Sequence, residues 1–429
     1  MAMFKLKDLW NRWRAIDYHQ RLGVISLLTL FGGIFFSRAM MSMGMIGLAF
    51  NFAANNNILK NLSLFWKNKA LVAITTVLLV YLLSGVFSEN TDWYVDRLRM
   101  KLPFLMVPIS IVAIPRMDKK VYFPLLYLFF FLCVVLSAQS LLQYFTNYED
   151  ISVAYERGKI LPTPVQHIRF SLMVAFSVAI GWYLYQKEYA LFYKWEKWLQ
   201  LGGSLFLILF LHVLAVRSGL VALYGVLAFF LIQFFVVKKK YLLGIGIAVA
   251  LAIGAFMAYQ FLPSLNNKVR YTVWSVKMFI QNQELRELSD SRRLASIQAG
   301  VEMIKKHPLT GVGIGDVRDE TNNYMKEHYP SLVDLELMPH NQYIFVWAAT
   351  GTLGLIAFVW ATFMPLIFLK GYRDSLLVAF SIIIFSSFLV EHTVETQLGT
   401  AFYILFVSLG CWYWYQENAT IDAKYTTNN

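Results

Sequence analysis

The sequence predicts an all-α polytopic membrane protein of about twelve transmembrane helices, with one large helical loop between spans nine and ten. Three observations predict it. Of the 429 residues, 58% are hydrophobic and only 15% are charged. A soluble globular chain fills its core with less apolar surface, whereas a chain that crosses a bilayer repeatedly needs this much. The apolar residues also fall in long runs, and a helix needs about 20 such residues to span a bilayer. Finally, the Lys and Arg residues behind the net charge of +12 lie mostly in short loops between the runs. That is the positive-inside pattern of an integral membrane protein, and it excludes reading the charge as a nucleic-acid surface.

In order, the runs lie near residues 22–37, 39–54, 70–88, 102–116, 121–145, 165–186, 198–216, 218–237, 241–261, 353–369, 375–391 and 398–415. The first two are short and poorly separated, which leaves eleven spans open. Residues 1–21 are basic and amphipathic, without the apolar core and cleavage site of a secretory signal. They read as a cytoplasmic surface helix. With that end inside, every second turn should be basic. Lys60, Lys67 and Lys69 follow span two, and Arg116, Lys119 and Lys120 follow span four. Lys187, Lys194 and Lys197 come next, then Lys238, Lys239 and Lys240, then Lys370 and Arg373. Both termini are therefore expected inside, with 22–261 holding spans one to nine and 416–429 a cytoplasmic tail. "GCWYWYQEN" forms an interfacial aromatic belt. Cys133 and Cys411 each sit in an apolar run, which argues against a disulfide framework or a metal site.

Residues 262–339 form a long insertion on the outer side with about equal numbers of acids and bases. Within it, "SDSRRLASIQAGVEMIKKHPL" reads as a helix that starts on capping residues Ser289 to Ser291 and stops at Pro308. Leu294, Ile297, Val301 and Ile304 make its apolar stripe. A structured loop of this size is usually functional.

Several polar residues are out of place for a membrane protein. Arg217, in "LAVRSGL", sits between two apolar runs with almost no loop. It either snorkels from a helix end or works in a site, and its outer position favours the site. Arg169, in "VQHIRFS", holds the outer end of span six beside an interfacial His167, and both readings stand for it. Arg97, Arg99 and Lys101 form a basic knot that reads first as membrane-surface anchoring and second as substrate contact. Arg292 and Arg293 open the external helix, where a cation opposes the helix dipole unless an anion binds there. Glu391 and Glu395 fall one helical turn apart at the end of span eleven, so both can face one cavity or pair with these arginines. His212 is mid-span and reads as a packing residue. "GVGIGD" imitates a phosphate loop, but no strand precedes it and no lysine follows, so it reads as a turn. No Walker-type sequence exists to bind ATP.

In "MPHNQYIFVWAATGTLG" the pair His340-Asn341 stands at the mouth of an apolar run that Gly351 and Gly354 interrupt. A histidine is the natural base for a hydroxyl at neutral pH, and a helix N-terminus disfavours its protonated form. Clustered guanidinium groups suit a diphosphate, since each grips two oxygens at once. Together these residues fit transfer of a group from a diphosphate to an alcohol outside the cytoplasm.

The segment from His340-Asn341 to Gly351 and Gly354 resembles the signature of the O-antigen ligase and O-antigen polymerase superfamily: His, then Asn, Ser or Gln, nine residues, then Gly-x-x-Gly. "RRLASIQAGVEMIKKHPLTGVGIGD", the "RSG" at Arg217 and "EHTVETQLGTAFY" are similar to further landmarks of that family in the same order. "SRR" offers two arginines where the family shows one; Arg293 is favoured and Arg292 stays open. The resemblance implies a glycosyltransferase of the bacterial inner membrane whose donor is an undecaprenyl diphosphate-linked glycan. His340 would deprotonate the acceptor hydroxyl on the periplasmic face, and Arg217 and Arg293, with Arg169 and Arg292 as further candidates, would hold the diphosphate. Asn341, Gly351, Gly354, Glu391 and Glu395 would support the site, with the glycines ending the helix that His340 opens. The reaction would invert the anomeric carbon, without metal, nucleotide or other cofactor. Lipid A–core is the acceptor of a ligase, and a lipid-linked repeat unit that of a polymerase; the ligase-type histidine signature favours the former. A twelve-span transporter is disfavoured, because the long loop lies outside and late rather than inside and central.

Overall fold

In the computed structural model the described residues are 17–147 and 161–427, apart from 238, 240, 262, 282 and 284. The surface helix expected over 1–21 therefore lies almost wholly outside them. Every described element is helical. The first half comprises α1 (Tyr18–Phe36), α2 (Arg38–Ala53), α3 (Ile58–Lys67), α4 (Lys69–Ser84), α5 (Thr91–Lys101), α6 (Pro103–Ile111), α7 (Lys119–Thr146) and α8 (His167–Gln186). Then come α9 (Glu196–Leu214), α10 (Arg217–Ile232), α11 (Tyr241–Phe261), α12 (Pro263–Ile280), α13 (Ser289–Lys306) and α14 (Val317–His328). The chain closes with α15 (Gln342–Ile367), α16 (Ser375–Val390) and α17 (Gln397–Thr427), which continues into the expected tail.

Eight helices among the described residues are long and apolar enough to cross a bilayer: α1, α4 with a 3₁₀ extension, α7, α8, α9, α10, α15 and α17. The expected count of about twelve is not reached by this measure. Each of the other runs does carry a helix, and three of those helices are short. α2 and α16 have 16 residues each, or about 24 Å at 1.5 Å per residue, less than the ~30 Å hydrocarbon core. The run near 102–116 yields only the nine-residue α6, which starts at Pro103 and carries Pro108 within it.

α8 and the apolar first part of α17, as far as Tyr413, are mostly buried, whereas α10 and α15 keep most of their apolar stretches outward. The two central helices meet through aromatic rings. Phe176 lies 4.8 Å from Phe406, and Phe129 of α7 lies 4.7 Å from the same ring. Within this enclosure α8 carries a buried Arg169 near its N-terminal end.

The helix expected over Ser289–Pro308 is present as α13, but it presents a different face from the one predicted. Ala295, Ser296, Ala299, Gly300 and Met303 are buried, whereas Val301 is 37% exposed. The small residues win because the start of α15 approaches closely: a Cβ on Gly300 would meet Ile344 Cγ2 at 2.6 Å and Pro339 at 3.0 Å. The expected cap is also absent. The position before α13 is Leu288, with no side-chain cap bond, and Asp290 faces Arg217 instead.

α15 is two helical segments joined at Gly351, where φ is +69° and ψ is −174°. The first segment is the nine residues between Asn341 and Gly351. Breaking a helix leaves carbonyls unpaired, and the "GVG" turn supplies partners. Val312 N–H donates to the Ala348 carbonyl at 2.8 Å and Gly313 N–H to the Ala349 carbonyl at 3.0 Å. Thr352 N–H donates back to the Pro308 carbonyl at 3.0 Å. The turn reading of "GVGIGD" thus acquires a purpose, which is to seat a broken helix. Gly351 ends the helix that Asn341 begins, as expected. Gly354 ends nothing; its missing side chain accommodates Thr350 and Val80 of α4.

Candidate functional site

His340 sits just before α15, and three local features place it. Asn341 caps the helix, its Oδ1 accepting from the N–H groups of Tyr343 (2.9 Å) and Ile344 (3.0 Å). The same side chain donates through Nδ2 to the Leu389 carbonyl at 2.8 Å, which ties this end of α15 to the end of α16. Ser296 of α13 holds the histidine itself. Its oxygen lies 2.8 Å from the Arg293 carbonyl, to which the hydroxyl can donate. It accepts the backbone N–H of His340 at 3.3 Å and bonds ring Nδ1 at 3.1 Å. With the hydroxyl on the Arg293 carbonyl the ring carries its proton on Nδ1, and Nε2 then keeps a lone pair for chemistry.

Burial pushes the His340 imidazole down to about 4, because a charged ring loses hydration here. Glu391 and the Met338 carbonyl act the other way, and the positive charges of Arg293 and Arg169 add to the lowering. The ring is therefore neutral at physiological pH. His392 packs edge-on against it, with ring centroids 4.9 Å apart at 71°. Burial holds His392 well below its ordinary value too, with His340, Arg169 and Arg97 contributing.

The candidate arginines divide. Arg293 lies one turn before Ser296 and pairs with buried Glu391 at 2.5 Å. Arg169 is buried, donates from Nε to Thr396 Oγ1 at 3.4 Å, and leaves Nη1 without a hydrogen-bond partner. These two flank His340. Arg217 stands further along the start of α13, where it binds both oxygens of Asp290 and donates to Thr272 at 2.9 Å. Its Nη1 hydrogens are spent, but the Nε side of the fork stays available and the side chain is 37% exposed. The Arg292 side chain makes no ion pair or hydrogen bond among the described residues, and only its backbone N–H is engaged, on the Leu288 carbonyl at 3.1 Å.

The two glutamates do not share a helical turn. α16 ends at Val390, Glu391 is extended at φ −149° and ψ 151°, and Glu395 closes a 3₁₀ turn over Thr393–Glu395. Glu391 turns to Arg293. Glu395 instead collects Tyr81 (2.5 Å), Lys101 (2.8 Å) and Gln342 (2.9 Å) on its Oε1. The basic knot is thereby corrected as well. Lys101 is fully buried on Glu395, and Arg97 is buried with Nη1 on the Glu395 carbonyl at 3.3 Å. Arg97 also stacks on one face of Trp93, against which Arg318 packs at 4.1 Å. Only Arg99 is exposed, paired with Asp96. The knot anchors α5 inside the protein rather than to a membrane surface. His212 is a packing residue, with both ring nitrogens occupied by the Ile208 carbonyl and the Tyr224 hydroxyl.

His340, Glu391 and His392 bring potential ligand atoms within 4.8 Å of one another. That spacing suits a metal, but the electrostatics oppose one. Arg293 occupies a Glu391 oxygen, and the charge of Arg169 reaches both histidines. The arrangement favours an anion or a neutral polar group.

Ser296, His392 and Asp290 are absent from the sequence-level candidates. Ser296 had a signal, since on a helix it faces the same side as Arg293 one turn away. Asp290 and His392 had none beyond adjacency to residues already chosen.

Fold and site together define a multi-pass membrane protein with a neutral histidine set between guanidinium groups where an interrupted helix begins. Residues 202–359 match the model of a family described as O-Antigen ligase. That match supports the ligase and polymerase superfamily, whose members are glycosyltransferase-like enzymes with lipid-linked glycan substrates. The match includes Arg217, Asp290, Arg293, Ser296, His340, Asn341 and both motif glycines. Arg169, Glu391, His392 and Glu395 fall beyond it. No curated protein matches the chain.

Proposed function

We propose that this chain is an O-antigen ligase-type glycosyltransferase. It moves a glycan from undecaprenyl diphosphate to a sugar hydroxyl of lipid A–core on the periplasmic face of the inner membrane. The single observation that supports the reading is the bond from Ser296 to Nδ1 of a neutral His340, one turn along α13 from Arg293; in this reading Nε2 carries the lone pair. His340 takes the proton of the acceptor hydroxyl as that oxygen attacks the anomeric carbon. Arg293 and Arg217 receive the charge that develops on the departing diphosphate, and Arg169 supports them from α8. Attack opposite the leaving group inverts the anomeric centre. Stabilisation of the developing anion by preset donors is the largest catalytic term in sites of this kind. The chain's own residues supply both base and anion clamp, so the proposal needs no metal and no nucleotide. In this reading residues 262–339 form a periplasmic loop, and both termini are cytoplasmic.

The test is transfer by purified protein from a lipid-linked donor, with lipid A–core and a lipid-linked repeat unit offered in competition. Preference for lipid A–core supports a ligase. Exclusive use of the repeat unit would convert the reading to a polymerase with the same chemistry, and no transfer to either would end it.

A further inference from the structure

The partner of Arg293 raises a question that the reaction alone does not answer. A diphosphate that uses Arg293 must take it from Glu391, which holds it at 2.5 Å and is itself almost fully buried. A buried carboxylate that loses its cation is costly unless another positive group replaces it. One is within reach. Glu391 places an oxygen within 4.8 Å of one ring nitrogen of His340 and one of His392.

We propose that Glu391 is a shared counter-ion that passes from Arg293 to His340 when an anionic diphosphate takes Arg293. This rests on the transferase reading above and deepens it. The acceptor hydroxyl gives its proton to Nε2 of His340, the new oxygen–carbon bond forms, and the bond to the diphosphate breaks with its electron pair leaving on that oxygen. The imidazolium so formed is paired by the Glu391 carboxylate until its proton passes to water. Glu391 touches neither substrate, so it is a positioning residue that acts through His340.

The groups that face His340 make the exchange directional. α13 offers Arg293 and Ser296, and α8 offers Arg169; Glu391 and His392 come from the segment after α16. α5 contributes Arg97, whose charge reaches His392. Glu391 is the only anion in that set. While it serves Arg293 the ring is a weak base, and its release makes the ring a stronger one at the moment the leaving group is gripped. The device couples base strength to donor occupancy.

The experiment measures kcat and donor KM across pH with the full-length protein, an undecaprenyl diphosphate-linked glycan and a saturating glycan acceptor. The acid limb of kcat/KM reports the free enzyme and that of kcat the bound complex. The wild type should show the kcat limb at higher pH than the kcat/KM limb. Glu391→Gln should abolish that offset, lower kcat about tenfold or more, and lower donor KM because nothing competes for Arg293. Glu391→Asp should retain part of the offset, and it carries the test alone if the glutamine variant does not fold. An active wild type with no offset, or an offset that survives Glu391→Gln or is unchanged in Glu391→Asp, overturns the proposal alone. A raised donor KM with unchanged kcat in Glu391→Gln overturns it too, because Glu391 would then only orient Arg293. A wild type that transfers no glycan overturns the transferase reading and this proposal together.

Discussion

Ser296 Oγ makes two hydrogen bonds with His340, one to ring Nδ1 at 3.1 Å and one from the backbone N–H at 3.3 Å. One hydroxyl therefore holds both the backbone and the ring of the residue. Ser296→Ala keeps the helix and removes only this grip. Turnover should fall about tenfold while donor KM stays unchanged, the low end of the roughly 10–100-fold that partners orienting a metal-bound imidazole are worth. An unchanged kcat would show that packing against His392 alone orients the ring.

His340→Ala removes the base. The variant should insert and bind donor normally, because Arg217 and Arg293 remain, and turnover should drop by about two to four orders of magnitude. The pH dependence follows from a folded value lowered to about 4. The neutral ring is the active form, so kcat/KM should be flat near neutrality and fall only as the pH drops through that lowered value. An acid limb at the ordinary histidine value would show that the ring is not buried in the working enzyme.

Arg217→Lys keeps a charge but loses the planar fork that grips Asp290 with one edge and leaves Nε for a ligand. Activity should decline at least tenfold, with donor KM raised. Full activity in both Arg217→Ala and Arg293→Ala would remove the clamp from the mechanism.

Gly300→Ala places a methyl 2.6 Å from Ile344 and 3.0 Å from Pro339. Overpacking of this kind costs about 1–3 kcal/mol, and here it pushes the His340 segment away from Ser296. Both the thermal midpoint in detergent and kcat should drop. A stable variant with wild-type kcat would mean that α13 and α15 can separate without consequence.

The sidedness of the loop is tested by labelling. A cysteine at Ser289 should react with an impermeant reagent on intact cells, and one at Lys239 should not. Protection at Ser289 would put the site on the cytoplasmic face.

The parts of this site legible in the sequence are those that local geometry writes into it. Asn341 and Gly351 are separated by the nine residues that the first segment of α15 requires, so cap and break can be read as spacing. Arg293 could be chosen because a cation at a helix start needs a reason. Burial of Lys101 and Arg97 is not legible locally, because their partner Glu395 lies 294 residues from Lys101 in the chain. The buried face of α13 is hidden for a related cause. Periodicity marks large apolar side chains, whereas the face that meets α15 is built from Ala295, Ser296, Ala299 and Gly300, chosen for what they leave out. Helix length is not legible in a run of apolar letters, since the run near Pro103 and Pro108 folds into a helix of only nine residues.

The broken helix has a consequence for biosynthesis. The bend at Gly351 is held by the segment after Pro308, which docks on it. That segment leaves the ribosome first, so it is waiting when the later one arrives. A change at Gly311, whose own φ is +70° and whose Cβ would strike the Ala349 carbonyl, would therefore do its damage during assembly. The product would carry an unbent rod with His340 on the wrong bearing, and no later addition of substrate could turn it back.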